Sequence, residues 1–181
     1  EDTQRMVHTT IQFGGKLDVL VNNAAFDTIG GIVELDPELW HQALETNLTG
    51  PFMLMKAVIP HMIQTGQGSI ISIASLAGIR CVPQEPAYCA TKAGLIMLTQ
   101  QAALDYGPHN IRCNVICPGA FRTKMLEDAL SPLKPVLKTD LDGIFAHFTS
   151  NTPLRRVADP SEISGLCSYL ASDDSSYMTG A

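Results

Sequence analysis

Two hydrophobic regimes alternate along the chain: short apolar runs closed by Asn, Gly or Pro, and longer stretches where apolar residues recur every three or four positions. Met6, Ile11 and Phe13 among polar residues predict a helix over 2 to 13, ended by Gly14-Gly15. Leu17-Asp18-Val19-Leu20-Val21, closed by Asn22-Asn23, predicts a strand buried on both faces of a parallel sheet. A loop follows over 26 to 35, around Gly30-Gly31. Asp36-Pro37-Glu38 then supplies an N-cap, a first-position proline and an acid in the first turn. The apolar spacing of Trp40, Leu44, Leu48, Phe52, Met55, Ile59 and Met62 continues this into one long, bent helix.

Gly66 and Gly68 stop that helix, and Ser69-Ile70-Ile71-Ser72-Ile73-Ala74-Ser75 predicts a second buried strand. A helix is expected from about 85 to 106, and after Gly107-Pro108 a third strand from Ile111 to Cys117, closed by Pro118-Gly119. Pro132, Pro135, Gly143 and Asn151 break residues 120 to 152 into short helices and a mobile flap, and Asp159-Pro160-Ser161-Glu162 starts a last helix ending near Ala171. Strands alternating with helices predict the α/β class, with helices on both faces of a parallel sheet. With 181 residues, 45% of them hydrophobic, the chain is expected to form a single domain over 1 to 181, with 120 to 152 as its substrate-loop region.

Charge and cysteine content narrow the partners. No apolar run approaches the roughly 18 residues of a membrane span, so a soluble protein is expected. A net charge of −6 with no basic cluster beyond Arg155-Arg156 argues against nucleic acid. Cys81, Cys89, Cys113, Cys117 and Cys167 show neither a C-x-x-C pair nor zinc spacing, so no metal is expected. Cys113 and Cys117 alternate onto one strand face as small buried hydrophobes, and the odd thiol count without a secretion signal points to a reducing, cytoplasmic setting.

Tyr88 and Lys92 lie one helical turn apart on one face, so an ammonium can act on a phenol. A free tyrosine, with a pKa of about 10, is a poor base near neutral pH; a neighbouring cation favours its phenolate. The same spacing also describes a helix with an exposed lysine and a half-buried tyrosine. Ser75 ends a buried strand at the edge where parallel sheets carry ligands, although a turn serine capping its own backbone reads the same way. Asn47 sits in a helix that disfavours it, and Pro51, four residues on, has no N–H for the Asn47 carbonyl. Either this is a plain proline kink, or the free carbonyl and the Asn47 side chain hold a water that relays protons to Lys92.

Taken in order, Asn22-Asn23-Ala24 after a strand, Asn47 in a helix, Ser75 at a strand end, Tyr88-x-x-x-Lys92 and Pro118-Gly119 resemble the classical short-chain dehydrogenase/reductase family over almost the whole chain. The resemblance implies a Rossmann-like doubly wound sheet, NAD or NADP as cofactor, and a secondary alcohol or ketone as substrate. It implies a tetrad of Asn47, Ser75, Tyr88 and Lys92: Tyr88 as general acid/base, Ser75 orienting the substrate oxygen, Lys92 binding the nicotinamide ribose and lowering the Tyr88 pKa, and Asn47 anchoring the water. It implies cofactor contacts at Asn22, Ala24, Tyr88 and Lys92, and at Pro118, Gly119, Phe121 and Thr123, with Thr123 bonding the carboxamide. A homotetramer or homodimer built partly on the helix of Tyr88 also follows from it.

Two substitutions depart from the family pattern, Ala25 for the usual glycine and Phe121 for a small β-branched residue. The glycine-rich strand-turn-helix that holds pyrophosphate and selects NAD or NADP is expected before Glu1, and a final strand after Ala181, so the sheet of this chain is expected to be incomplete, with a bare apolar edge. The flap residues Met125, Leu126, Leu130, Ile144, Phe145 and Phe148 favour an apolar or mixed substrate, while Arg122 and Lys124 leave an anionic group open. Two other functions fit less well: a fold-keeping scaffold has no chemical reason to retain all four tetrad residues, and a nucleotide-sugar epimerase normally carries a larger C-terminal substrate domain.

Overall fold

A computed structural model describes residues 2–181. Helix α1 (Asp2–Gly14) leads to strand β1 (Val19–Asn22), and a loop leads on to helix α2 (Pro37–Leu44), a π-helical turn (Glu45–Thr49) and helix α3 (Gly50–Thr65). Strand β2 (Gly68–Ile73), a 3-10 turn (Leu76–Gly78), helix α4 (Pro86–Tyr106) and strand β3 (Ile111–Ile116) follow. The three strands form one parallel sheet in the order β1-β2-β3, with Val19 opposite Ser69 and Gly68 opposite Ile111. The chain divides into two compact units, one made of the residues up to Cys117 together with Cys167–Ala181, the other of Pro118–Leu166.

In the first unit, β2 is central and its Ile70 and Ile71 are fully buried. Met55, Val58, Ile59 and Met62 of α3, Ala102 and Ala103 of α4, and Ile111 and Cys113 of β3 close one core with Ile70. Gly68 is required where β2 begins, because a Cβ there would overlap the Met62 side chain. The expected burial of β1 on both faces is corrected: Val19 and Val21 are 37% and 45% exposed, and β1 is an edge strand with no strand on its outer side among the described residues. On the far side of the sheet, Val115 donates to Ala181 O and Gly180 to Cys113 O, both at 2.8 Å, so the C-terminal tail runs beside β3. Asn114, buried in β3, is satisfied by the same tail through Met178 O at 2.8 Å. Only one of the two cysteines expected on the buried strand face is a core residue: Cys113 is fully buried, whereas Cys117 lies past the end of β3 and is half-buried.

The second unit is a succession of short elements, as the proline and glycine spacing predicts: helix α5 (Lys124–Leu130), helix α6 (Lys134–Leu137) and helix α7 (Leu141–Phe148), the first two joined by a 3-10 turn over Ser131–Leu133. Leu130, Ile144 and Phe145 form its own small core with Leu126, Leu141 and Val157 around them. A single parallel bridge joins Phe121 to Ala158. The predicted last helix begins as a 3-10 turn (Pro160–Ile163), with Asp159 and Glu162 completing a capping box, and continues as helix α8 (Ser164–Ala171). Among the described residues no helix is long and apolar enough to cross a membrane.

Candidate active site

The ends of β1 and β2 and the first turns of α4 bring the sequence candidates of the first unit together. Asp36 caps α2 by accepting the Glu38 N–H at 2.9 Å. The bend expected at Pro51 is a π-helical turn: the Gly50 N–H reaches back to Glu45 O, one residue further than in an α-helix. That extra residue widens the helix where Asn47 turns inward with no exposed surface.

Asn47 is a clamp. Its Oδ1 accepts the Phe26 N–H at 2.7 Å, and its Nδ2 donates to Phe26 O at 2.8 Å and to Thr91 Oγ1 at 3.0 Å. Thr91 in turn donates to Tyr88 O at 3.0 Å, so one amide ties the loop after β1 to the helix carrying Tyr88 and Lys92. The expectation that side chain and carbonyl together hold a relay water is therefore corrected. Protein groups engage the side chain at both ends.

Ser75 follows β2 in extended conformation and accepts the Ala77 N–H at 3.1 Å, so it caps its own turn. It also faces the Tyr88 phenol, whose ionised form it favours. The turn after it rests directly on α4. A Cβ on Gly78 would come within 2.8 Å of the Lys92 carbonyl carbon, a backbone atom that cannot swing aside. Gly78→Ala should therefore push Ser75 away from Tyr88, and we expect turnover to fall by about tenfold or more, on the logic that small misplacements of a positioned group are costly. Steady-state kinetics, with circular dichroism confirming the fold, check this.

Lys92 is 1% exposed, its Nζ lying 5.5 Å from the Tyr88 ring centre and donating to Ile73 O at 2.8 Å. Burial lowers its pKa to about 8, opposed by Asp27 and Cys117. Tyr88 runs against expectation: burial, with Asp27, Glu85 and Cys89 adding to it, raises its pKa to about 12 despite Ser75. Desolvation of the phenolate outweighs the help a nearby cation can give. Glu85, at the N-cap of α4 without capping it, is raised to about 7 by burial and by Asp27. Asp27 is itself raised by burial, with Thr28 and Lys92 pulling the other way.

Asp27 and Glu85 are the site residues that sequence reasoning missed. The available signals were an acid one turn before Tyr88 on the same helix face, and another in the loop leaving the C-terminal end of β1.

Asn22 closes β1, donating from Nδ2 to Ser72 Oγ at 3.4 Å, while Thr99 donates to the same oxygen at 2.9 Å. Its Oδ1 is buried with no hydrogen-bond partner among the described residues, and Ala24 is exposed beyond it. Pro118, Gly119, Phe121 and Thr123 belong to the second unit. There the Thr123 hydroxyl caps α5 by accepting the Leu126 N–H at 3.3 Å, which leaves its own proton to donate. Arg122 is not the free cation the sequence suggested, because Glu127 and Asp142 pair with it at 3.2 and 3.0 Å, and Lys124 pairs with Asp128.

The family model described as enoyl-(acyl carrier protein) reductase matches residues 1–181. The chain belongs to the classical short-chain dehydrogenase/reductase family. Within that family it is 42% identical over 175 residues to a trans-4-hydroxycyclohexanecarboxylate dehydrogenase of Sinomonas cyclohexanicum, covering 97% of this chain and 61% of that protein. Among solved structures it is similar to an NAD+-bound xylitol dehydrogenase, with a TM-score of 0.89 and 33% identity over 98% of this chain and 71% of the other. It is also similar to an actinorhodin polyketide ketoreductase variant with NADPH, with a TM-score of 0.92 and 31% identity over 98% of this chain and 69% of the other. The chain thus spans about three fifths of the length of the curated relative it matches. The shared fold is the Rossmann-like α/β architecture read from the strand and helix alternation.

Proposed function

We propose that this protein is an NAD(P)-dependent oxidoreductase that interconverts a secondary alcohol and a ketone, with Asn47, Ser75, Tyr88 and Lys92 as its working set. The observation that carries this reading is a buried ammonium against a half-buried phenol, with a strand-end hydroxyl facing that phenol at the C-terminal edge of a parallel sheet.

The residues fit a nicotinamide cofactor. Lys92 uses one of its three N–H groups on Ile73 O and keeps donors for ribose hydroxyls, and the unpartnered Asn22 oxygen offers an acceptor at the end of β1. Bound NAD(P) supplies the hydride acceptor for oxidation and the donor for reduction. Asn22, Ala24, Tyr88 and Lys92 of the first unit would hold it.

Ser75 orients the substrate oxygen, and Tyr88 takes the hydroxyl proton in oxidation or returns it to the carbonyl oxygen in reduction. Lys92 holds positive charge near the developing phenolate. On this reading the relay water would be anchored by the main-chain carbonyl of Asn47. The pairing of Arg122 within its own unit removes one reason to expect an anionic substrate group, so a neutral, mixed apolar and hydroxylated substrate fits better.

An exposed stripe on α4, with Ala90, Ala93, Met97 and Leu104 following each other at helical spacing, supports a homodimer or homotetramer. The five free cysteines suit a reducing, cytoplasmic setting.

The direction of the Tyr88 shift makes the pH behaviour asymmetric. Alcohol oxidation needs phenolate, which is scarce at neutral pH when the phenol titrates near 12, so its kcat/KM should climb with pH through the neutral range. Ketone reduction uses the phenol already present and should stay level until Lys92 loses its proton near 8. The intact enzyme, assayed at 340 nm with NAD and NADP against a panel of neutral cyclic and linear secondary alcohols and their ketones, tests both statements. Bound cofactor with no turnover on any member would remove the reading.

A further inference from the structure

Lys92 presents a physical difficulty that the tetrad alone leaves open. A cation that is 1% exposed needs compensation, yet its hydrogen-bond partner is a single carbonyl and it takes part in none of the ion pairs among the described residues.

The groups acting on it come from three elements: the Tyr88 ring on its own helix, Cys117 beyond the end of β3, and Asp27 on the loop after β1. Cys117 is a thiol whose own ionisation is disfavoured by burial, so it contributes little charge. That leaves the carboxylate of Asp27.

The loop holding this carboxylate is fastened at two points. Asn47 grips Phe26, the residue just before Asp27, through both its N–H and its carbonyl, and carries that grip to α4 through Thr91. Further along, the Gly30 N–H donates to Gln84 O at 2.8 Å, and Gln84, in the left-handed region at a φ of 62°, immediately precedes Glu85 and α4. The Asp27 side chain is held as well, accepting the Thr28 N–H at 2.7 Å. Bonds on both sides of Asp27 and one to its side chain thus fix this acid on a loop tied to the helix that carries Lys92.

We propose that Asp27 is a positioning residue of the active site: clamped beside α4 by Asn47, its carboxylate is the counter-charge that lets the buried Lys92 ammonium persist. The Asn47 amide thereby acts on the chemistry through the loop it holds. This rests on the oxidoreductase reading for its use in catalysis, but the electrostatic pairing itself stands apart from turnover. Glu85 and Tyr88 also face Asp27, and Glu85 titrates near neutral pH, so its influence must be separated.

The decisive measurement is the titration midpoint of Lys92, followed by lysine-selective 13C NMR in the intact enzyme and assigned with Lys92→Arg. Asp27→Asn should lower that midpoint by about one pH unit, a tenfold loss of ammonium at a given higher pH. Asp27→Glu should restore most of it. Asp27→Ser removes the charge while keeping an oxygen for the Thr28 N–H, and serves if the asparagine variant folds poorly. Glu85→Gln should move the midpoint much less than Asp27→Asn does. In kinetics, the alkaline limb of kcat/KM should shift to lower pH in Asp27→Asn and Asp27→Ser alike, a change that a merely structural loop residue would not cause.

An unmoved Lys92 midpoint in both charge-removing variants overturns the proposal, and does so with the enzyme still active. Absence of any nicotinamide-linked turnover in the wild type would instead strike the oxidoreductase reading, while the midpoint would still decide the role of Asp27.

Discussion

Tyr88→Phe should lower kcat by about 10³-fold in both directions, the scale expected when a positioned general acid/base is removed. In the proposed mechanism the phenol oxygen is the atom of this side chain that moves the proton, and phenylalanine keeps the ring against Lys92. The fold should therefore stay close to wild type, and cofactor affinity should fall by no more than the loss of one hydroxyl contact. The phenol is mostly desolvated and its ionised form is disfavoured, so the hydroxyl adds little to stability that the ring does not. Steady-state kinetics combined with quenching of reduced-cofactor fluorescence would check the split. A variant that retained a tenth of the wild-type kcat would mean that another group moves the proton.

Lys92→Met should have opposite effects on activity and on stability. Turnover is expected to drop by about 10²-fold or more, because the phenolate loses its neighbouring cation and the cofactor loses a donor. The ligand-free protein, by contrast, should gain stability. Lowering a lysine from 10.5 to about 8 means the folded state disfavours the ammonium by roughly 3 kcal/mol. Leaving Ile73 O without its donor returns about 1 kcal/mol of that. The sign with pH is definite: a folded value below the unfolded one means that the penalty is complete below about 8 and is relieved as pH rises towards 10.5. Thermal melts of wild type and variant without cofactor should therefore differ by several degrees at pH 7 and converge at strongly alkaline pH. A methionine variant that melts lower than wild type at pH 7 would show that the ammonium is better compensated than its surroundings suggest.

The two effects together say what the site is built for. A buried lysine is a poor way to stabilise a protein, and Asp27, the Asn47 clamp and the close approach of Gly78 are arranged around it. Desolvation concentrated next to the proposed acid/base pair is the usual price of a preorganised site.

Much of this was legible in the residues. The β1, β2 and β3 segments and the start of α2 follow from apolar runs and capping residues, because strand burial and helix capping are local consequences of side-chain type. The order Asn47, Ser75, Tyr88, Lys92 also stands in the chain to be read, since the Tyr-to-Lys spacing places both on one face of α4 whatever surrounds them. What only the tertiary structure decided is the electrostatics and the fastening. Whether Tyr88 is raised or lowered depends on how much water its oxygen loses against how near its charges come, and those are sums over residues distant in the chain. Asn47 as a clamp, the exposed face of β1 and the retirement of Arg122 into pairs with Glu127 and Asp142 are likewise invisible to periodicity. Local spacing reports which face a side chain takes, whereas solvation and charge balance are set by whatever the fold packs against that face.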